Sequence, residues 1–170
     1  MKKKLRNPKI AALIMVVALV ASLFIGLNVG FYSMKSDINR TYQARIQEPL
    51  DARIEAANGL VGLAETNGVQ EAVVQRLRED VEALKEADSP SEQYDANSLL
   101  TGSFNGVAEQ LGDGSSVSTF REDFEEAQSR LELWQTSYNQ QVDDYNAAMD
   151  TFPTPLLRWA IFSGSAEKFR

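Results

Sequence analysis

Residues 119–152 read TFREDFEEAQSRLELWQTSYNQQVDDYNAAMDTF, and this stretch sets the fold class. Its apolar side chains recur at steps of three and four residues, the spacing of one face of an α-helix. They are Phe120, Phe124, Ala127, Leu131, Trp134, Tyr138, Val142, Tyr145, Met149 and Phe152. Pro153 and Pro155 follow and stop a helix, because proline has no amide hydrogen to donate. The pattern predicts one long helix in a bundle, capped at Ser118 or Thr119.

Three more helices are predicted upstream, at residues 38–66, 69–86 and about 90–111. The first has an apolar face that begins with four steps of four residues, and Pro49 within it should kink or split the helix. The second has Val73, Leu77, Val81 and Leu84 on one face. The third follows the capping sequence Ser89-Pro90-Ser91-Glu92, and its predicted apolar face includes Leu99.

An apolar run without charge precedes these helices, at residues 10–31. At 1.5 Å per residue it spans about 33 Å, enough for a hydrocarbon core of about 30 Å. We therefore assign residues 10–32 to a transmembrane helix. A cleaved secretory signal begins in the same way, but its apolar region has about 7–15 residues. The longer run, with no A-x-A site after it, favours an uncleaved anchor.

The net charge of −7 divides unevenly along the chain. Residues 1–9, MKKKLRNPK, hold five basic residues, and the remainder holds twelve basic against twenty-four acidic residues. Basic residues that flank a membrane helix stay in the cytoplasm. We therefore expect a single-pass protein of the cell membrane with a cytoplasmic N-terminus and an extracytoplasmic bundle.

Small residues spaced by four line the apolar run, and they predict helix packing within the membrane. They are Ala18, Ser22, Gly26 and Gly30, and Asn28 lies beside them. Gly26 and Gly30 form a GxxxG motif, which lets two helix backbones approach closely. The alternative is that these residues reflect only the ordinary composition of membrane helices.

The composition excludes several kinds of site. The chain has no histidine and no cysteine, which excludes disulfides, thiolate zinc sites, Ser-His-Asp triads and Glu-x-x-His di-iron sites. The acidic balance disfavours nucleic acid as a partner. Acidic residues fall mainly off the apolar faces, as in a solvated surface. We therefore expect no enzyme activity, no cofactor and no metal site.

Together these predictions give an all-α protein: a single N-terminal transmembrane helix and then an antiparallel up-and-down four-helix bundle at residues 33–153. That topology returns residues 154–170, an amphipathic tail, toward the bilayer. Trp159 and Phe162 suit an interfacial position, although the tail could instead fold onto the open end of the bundle.

The two middle helices are shorter than the outer ones. The apolar surface of Tyr138, Val142, Tyr145 and Met149 is therefore expected to need cover from a partner or a second copy.

The closing sequence of the long helix resembles a known family. Residues 138–153 read YNQQVDDYNAAMDTFP, with Tyr138-Asn139, Val142, Tyr145-Asn146 and Phe152-Pro153 as the recurring elements. This is similar to the C-terminal signature of the LemA family, although the family's usual Leu-Ile-Pro before Asn-Leu-Val is replaced here. The resemblance implies a membrane-anchored, antiparallel four-helix domain. Within it, Asn139 and Asn146 either fix the register between the first and last bundle helices or form a polar recognition strip for a partner.

These observations predict a membrane-anchored, non-enzymatic helical scaffold or protein-binding module of the bacterial cell envelope. Its expected partners are the lipid bilayer and either a second copy or another envelope protein. The alternative is a ligand-sensing helical-bundle ectodomain that acts through a separate output partner. We expect nine residues before the apolar run to be too few for an output module, which disfavours the sensor unless a partner supplies the output.

Overall fold

The computed structural model describes residues 8–151, 154–157, 161 and 164–170, and these residues form helices without any strand. The five long helices are α1 (Pro8–Thr41), α2 (Glu48–Thr66), α3 (Glu71–Glu86), α4 (Pro90–Leu111) and α5 (Ser115–Asp150). A π-helical stretch, Tyr42–Gln47, joins α1 to α2, and a short helix α6 covers Thr154–Leu157. The predicted all-α fold class is confirmed.

The chain divides into two compact units. The first consists of Met1–Asp37 with Asp144–Ala166, and the second consists of Ile38–Asp143 with Glu167–Arg170. Each unit is therefore built from a continuous part of the chain and a later segment that returns to it.

The first unit contains the apolar part of α1. This helix is long and apolar enough to cross a membrane, and its most apolar window is not buried within the protein. Near the end of that run Phe31 is buried, and its ring meets the ring of Tyr145 edge-on with centroids 5.9 Å apart. The exposure of the preceding apolar residues is what a lipid-facing helix requires.

The second unit has a continuous apolar core made by α2, α3, α4 and the larger part of α5. Most of the predicted face of α5 is buried, at Phe124, Ala127, Leu131, Tyr138 and Val142. Phe124 stacks on Phe104 of α4 with ring centroids 3.8 Å apart. Such burial of one helical face against others provides most of the stability of a small helical domain.

Two predicted core positions are wrong by one residue. Leu99 is 52% exposed, and Leu100 beside it is fully buried. In α3, Val74 is buried and the predicted Val73 is half-buried. Adjacent apolar residues lie about 100° apart around a helix, so only one of each pair can face the core.

Pro49 neither breaks nor splits the predicted helix, which continues without interruption from α1 through α2. The turn before Pro49 is instead π-helical, at Tyr42–Gln47. Proline cannot donate to the carbonyl four residues earlier, and its ring crowds that carbonyl. A wider turn relieves this conflict.

The helix caps agree with the sequence in part. Ser89 and Glu92 form the predicted capping box at the start of α4. Asn67 ends α2, and Gly68 has a φ of 70°, a conformation that favours glycine. The predicted cap of α5 is wrong, because this helix begins at Ser115. Ser118 and Thr119 lie inside its first turns and donate to backbone carbonyls four residues earlier.

Candidate functional site

In the second unit, Tyr138 and Asn139 of α5 bind the backbone of residues 167–169. The Tyr138 hydroxyl donates to the Glu167 carbonyl over 2.8 Å. The Asn139 amide makes two bonds with one residue: its Nδ2 donates to the Phe169 carbonyl (3.0 Å), and its Oδ1 accepts from the Phe169 amide (2.8 Å). Asn139 thereby satisfies both backbone groups of Phe169, as a neighbouring β-strand would.

In the first unit, Tyr145 and Asn146 repeat this arrangement. The Tyr145 hydroxyl donates to the Gly164 carbonyl over 2.8 Å. Asn146 donates to the Ala166 carbonyl and accepts from the Ala166 amide, both over 3.0 Å. Lys35 of α1 also donates to the Gly164 carbonyl, over 3.2 Å. Each Tyr-Asn pair therefore holds one short piece of the non-helical 164–170 segment by its backbone.

The two sites obey one rule of spacing. In each, the tyrosine binds one residue of the 164–170 segment and the asparagine binds the residue two positions later. The tyrosines are seven positions apart, whereas their carbonyl acceptors are three apart in reverse order.

The second unit also recognises side chains of the 164–170 segment. The Phe169 side chain is fully buried, and its ring meets Tyr94 of α4 edge-on with centroids 5.4 Å apart. Lys168 pairs with Asp143 of α5, with Nζ 2.6 Å from the carboxylate oxygen. An aromatic ring in a pocket and one charge pair therefore add selectivity to a backbone contact that is independent of sequence.

Two predictions for the Tyr-Asn motif are wrong. The amides of Asn139 and Asn146 do not fix the register between two bundle helices, because they bind the 164–170 segment. The other alternative, a polar recognition strip for a partner, stays a prediction. The face of Tyr138, Val142, Tyr145 and Met149 was expected to need an external cover, yet each residue is at most 4% exposed. This face is therefore buried without an external cover. The sequence left open that the tail folds onto the bundle, and residues 164–170 do lie against α5. Their lack of a periodic pattern gave no signal for the specific contacts with the Tyr-Asn pairs.

Burial changes the acidity of two phenols in the second unit. Tyr138 lies 5.3 Å, centroid to centroid, from Tyr42, whose hydroxyl bonds to Gln93. Burial, and then the nearby negative charge of Glu167, raises the pKa of Tyr138 to about 12. Burial, reinforced by Tyr138, also raises the pKa of Tyr42. Both hydroxyls are therefore protonated at neutral pH, and the Tyr138 hydroxyl can donate.

The core of the second unit contains a buried cation that the sequence did not reveal. Arg53 of α2 is fully buried, bonds to Gln128 and Thr101, and places its guanidinium 3.7 Å from the ring centroid of Phe124. Within the described part of the chain no carboxylate pairs with it, and its Nε has no hydrogen-bond partner. Burial lowers the pKa of Arg53 to about 10, although Glu132 opposes this shift.

A cavity of about 300 Å³ lies in the second unit between α2 and α5. Its lining includes Glu55, Asp123, Glu126 and Arg130. Phe120 also lines it, and a Cβ added to Gly59 would clash with the Phe120 ring. Among the described residues, no group of three acidic side chains could hold a metal ion.

The other predicted residues lie in the first unit or outside the described residues. Ala18, Ser22, Gly26 and Gly30 are exposed on α1, and a Cβ added at either glycine meets nothing within 4 Å. The Asn28 amide donates to the Phe24 carbonyl of its own helix over 3.0 Å. Phe152, Pro153, Trp159 and Phe162 lie outside the described residues.

Comparison with known proteins does not identify a relative. No protein-family model matches the chain, and no curated protein matches it. The function must therefore be argued from the sites themselves.

Proposed function

We propose that this chain is a membrane-anchored, non-enzymatic protein-binding module, similar to the LemA family, of the bacterial cell envelope. The observation that carries the proposal is the pair of Tyr-Asn sites, which bind a peptide backbone. Asparagine amides that complete both hydrogen bonds of a residue suit a surface that recognises an extended chain. A surface of this kind needs no catalytic group.

The first unit supports a membrane anchor. The apolar part of α1 exposes large side chains, among them Leu13, Met15, Leu19 and Val29, at 63–64% of their surface. Exposed side chains of this size over many turns favour lipid as the surrounding medium. The five basic residues before the run support a cytoplasmic location for residues 1–9 and an extracytoplasmic bundle, by the positive-inside rule.

The proposed domain is an antiparallel, up-and-down four-helix bundle. Short connections favour this order, because helices joined by a few residues pack against each other in opposite directions. The links between α2 and α3, α3 and α4, and α4 and α5 have three or four residues. Within the second unit, Phe104 on Phe124 and Arg53 beside Gln128 join non-neighbouring parts of the chain.

Photo-crosslinking in native membranes tests this function. We place a benzophenone amino acid at Leu133 of α5, which is 70% exposed, and a matched one at Leu99 of α4, which is 52% exposed. A protein-binding module should give a discrete protein adduct that depends on the position. Lipid adducts alone, or the same diffuse adducts at both positions, would contradict the proposal. Alkaline carbonate extraction of the same membranes should leave the protein in the pellet.

A further inference from the structure

The polar contacts of residues 167–170 in the second unit are mostly backbone contacts. Tyr138 and Asn139 hold Glu167 and Phe169 as described, and Gln135 also donates to the Phe169 carbonyl over 3.2 Å. Ser91 of α4 donates to the Arg170 carbonyl over 3.3 Å. A backbone contact of this kind can be made equally well by a segment of another chain.

We propose that this site on α4 and α5 is a receptor for an extended peptide of a partner protein, and that residues 167–170 occupy it as an internal ligand. The peptide it takes has a basic residue followed by an aromatic residue. This inference rests on the proposed protein-binding function and names the surface and the ligand class. The partner segment replaces residues 167–170 when it binds.

The chemistry of the ligand follows from the contacts of Lys168 and Phe169. The aromatic ring fills the pocket beside Tyr94, where Phe169 is fully buried. The preceding cation meets the carboxylate of Asp143, as Lys168 does. The site therefore selects two adjacent side chains, while Asn139 fixes the register by holding both backbone groups of the aromatic residue. A buried aromatic anchor with charged contacts at its rim is typical of peptide-binding surfaces.

The internal ligand makes the site selective in a second way. Phe169 is attached to the same chain as Asn139, thirty residues later, so it competes with a partner segment as an intramolecular ligand. A partner segment must bind better than residues 167–170 or arrive at high local concentration. Weak and unrelated peptides are thereby excluded.

The test uses the full chain and a labelled peptide of residues 164–170, GSAEKFR, as the probe. Phe169→Ala removes the anchor of the internal ligand and should open the site. We expect this variant to bind the probe at least about tenfold more tightly than the wild type in fluorescence polarisation. A probe with Ala in place of Phe should bind at least about tenfold more weakly.

A second substitution identifies the site. In the Phe169→Ala background, Asn139→Ala should weaken probe binding at least about tenfold, because two hydrogen bonds are lost. Asn105→Ala, at an exposed position of α4, is the matched control and should leave binding unchanged. Equal binding by both double variants would overturn the proposal, as would the absence of binding by a Phe169→Ala variant with normal helicity.

A measurement on the wild-type chain covers the case in which Phe169→Ala does not fold. Unlabelled probe at millimolar concentration should shift the NMR resonance of the Phe169 amide as residues 167–170 are displaced. An unchanged resonance would overturn the proposal. Concentration-dependent dimers in which Phe169 of one copy crosslinks to the other would assign the site to a second copy and also overturn it. A position-dependent adduct at Leu133 without probe binding would leave the proposed function standing and remove this inference.

Discussion

Arg53 shows how much one residue can depend on its surroundings. Its guanidinium is fully buried among Gln128, Thr101 and the ring of Phe124, and no described carboxylate neutralises it. Burial of a charge costs several kcal/mol, which polar partners and a ring face only partly offset. The residue is therefore a source of specific packing more than of net stability.

Two substitutions of Arg53 should distinguish the contribution of its side-chain volume to stability from the contribution of its charge. Arg53→Met keeps an unbranched chain of similar length and removes the buried charge, so stability should stay within about 1 kcal/mol of the wild type or rise. Arg53→Ala leaves a cavity and should cost about 2–4 kcal/mol. Chemical denaturation followed by tryptophan fluorescence measures both. Equal losses for the two variants would mean that the charge itself is stabilising.

Tyr138 predicts a specific loss of stability at alkaline pH. Its pKa is about 12 in the folded chain, against an ordinary value of 10.0. The contribution to stability is therefore complete below pH 10 and is lost as the pH rises from 10 to 12. Tyr138→Phe has no phenol to ionise at this position. The difference in unfolding free energy between the wild type and Tyr138→Phe should accordingly shrink over this range, and a difference that is constant with pH would contradict the assignment.

At the scale of the helix, α2 carries two glycines in different environments. A Cβ at Gly59 would clash with the Phe120 ring, whereas a Cβ at Gly62 meets nothing within 4 Å. Alanine in a helix is more stable than glycine by about 1 kcal/mol. Gly62→Ala should therefore stabilise the protein by about 0.5–1 kcal/mol. Gly59→Ala should destabilise it by about 1–3 kcal/mol, because the ring must move.

Thermal unfolding of the two glycine variants compares them directly. A Gly59→Ala variant as stable as Gly62→Ala would show that the Phe120 ring turns away without cost. In a double-mutant cycle, Gly59→Ala should cost less stability in a Phe120→Ala background than in the wild type, since the clash is removed.

The helices could be predicted from the sequence where their apolar faces repeat, but the π-helical turn could not. Ile38, Tyr42, Ile46 and Leu50 are spaced by four, and each such step drifts about 40° around an ordinary α-helix. Three such steps in an ordinary α-helix would move Leu50 off the face on which Ile38 lies, yet Ile38, Ile46 and Leu50 are all buried. The wider turn at Tyr42–Gln47 winds less per residue and corrects the drift. Pro49 marked where the helix departs from α-helical geometry, but it did not distinguish a kink or a split from a π-helical turn.

The Tyr-Asn sites show the limit of prediction at this scale. The regular spacing on α5 identified Tyr138, Asn139, Tyr145 and Asn146 as a group. Their partner is an irregular segment that binds through backbone atoms. Nearly every residue type has the same backbone groups, so such contacts cannot be recognised from the sequence. Arg53 could not be predicted as a core residue either. Arginine usually lies at the surface, and only the packing of the neighbouring helices shows that this one is buried.

For the whole molecule, the exposed small residues of α1 predict self-association in the membrane. Gly26 and Gly30 have open space around them, so two helix backbones could approach there. Gly26→Leu with Gly30→Leu should reduce the signal of a membrane two-hybrid assay at least about tenfold, a loss of about 1.4 kcal/mol. Val20→Leu with Val29→Leu, at exposed positions of the same helix, is the matched control. An equal signal from both variants would show that this stripe does not mediate association.

The way in which residues 164–170 are held also determines which mutations the chain can tolerate. Ala166 contributes an amide hydrogen and a carbonyl to its contact with Asn146, so its side chain is almost irrelevant there. Ala166→Ser should be silent in a growth or stability screen. Ala166→Pro removes the amide hydrogen and should behave like a loss of the asparagine itself. The segment can therefore diverge among related proteins except at Lys168 and Phe169, whose side chains make contacts, while proline is excluded at Ala166 and Phe169, whose amides donate.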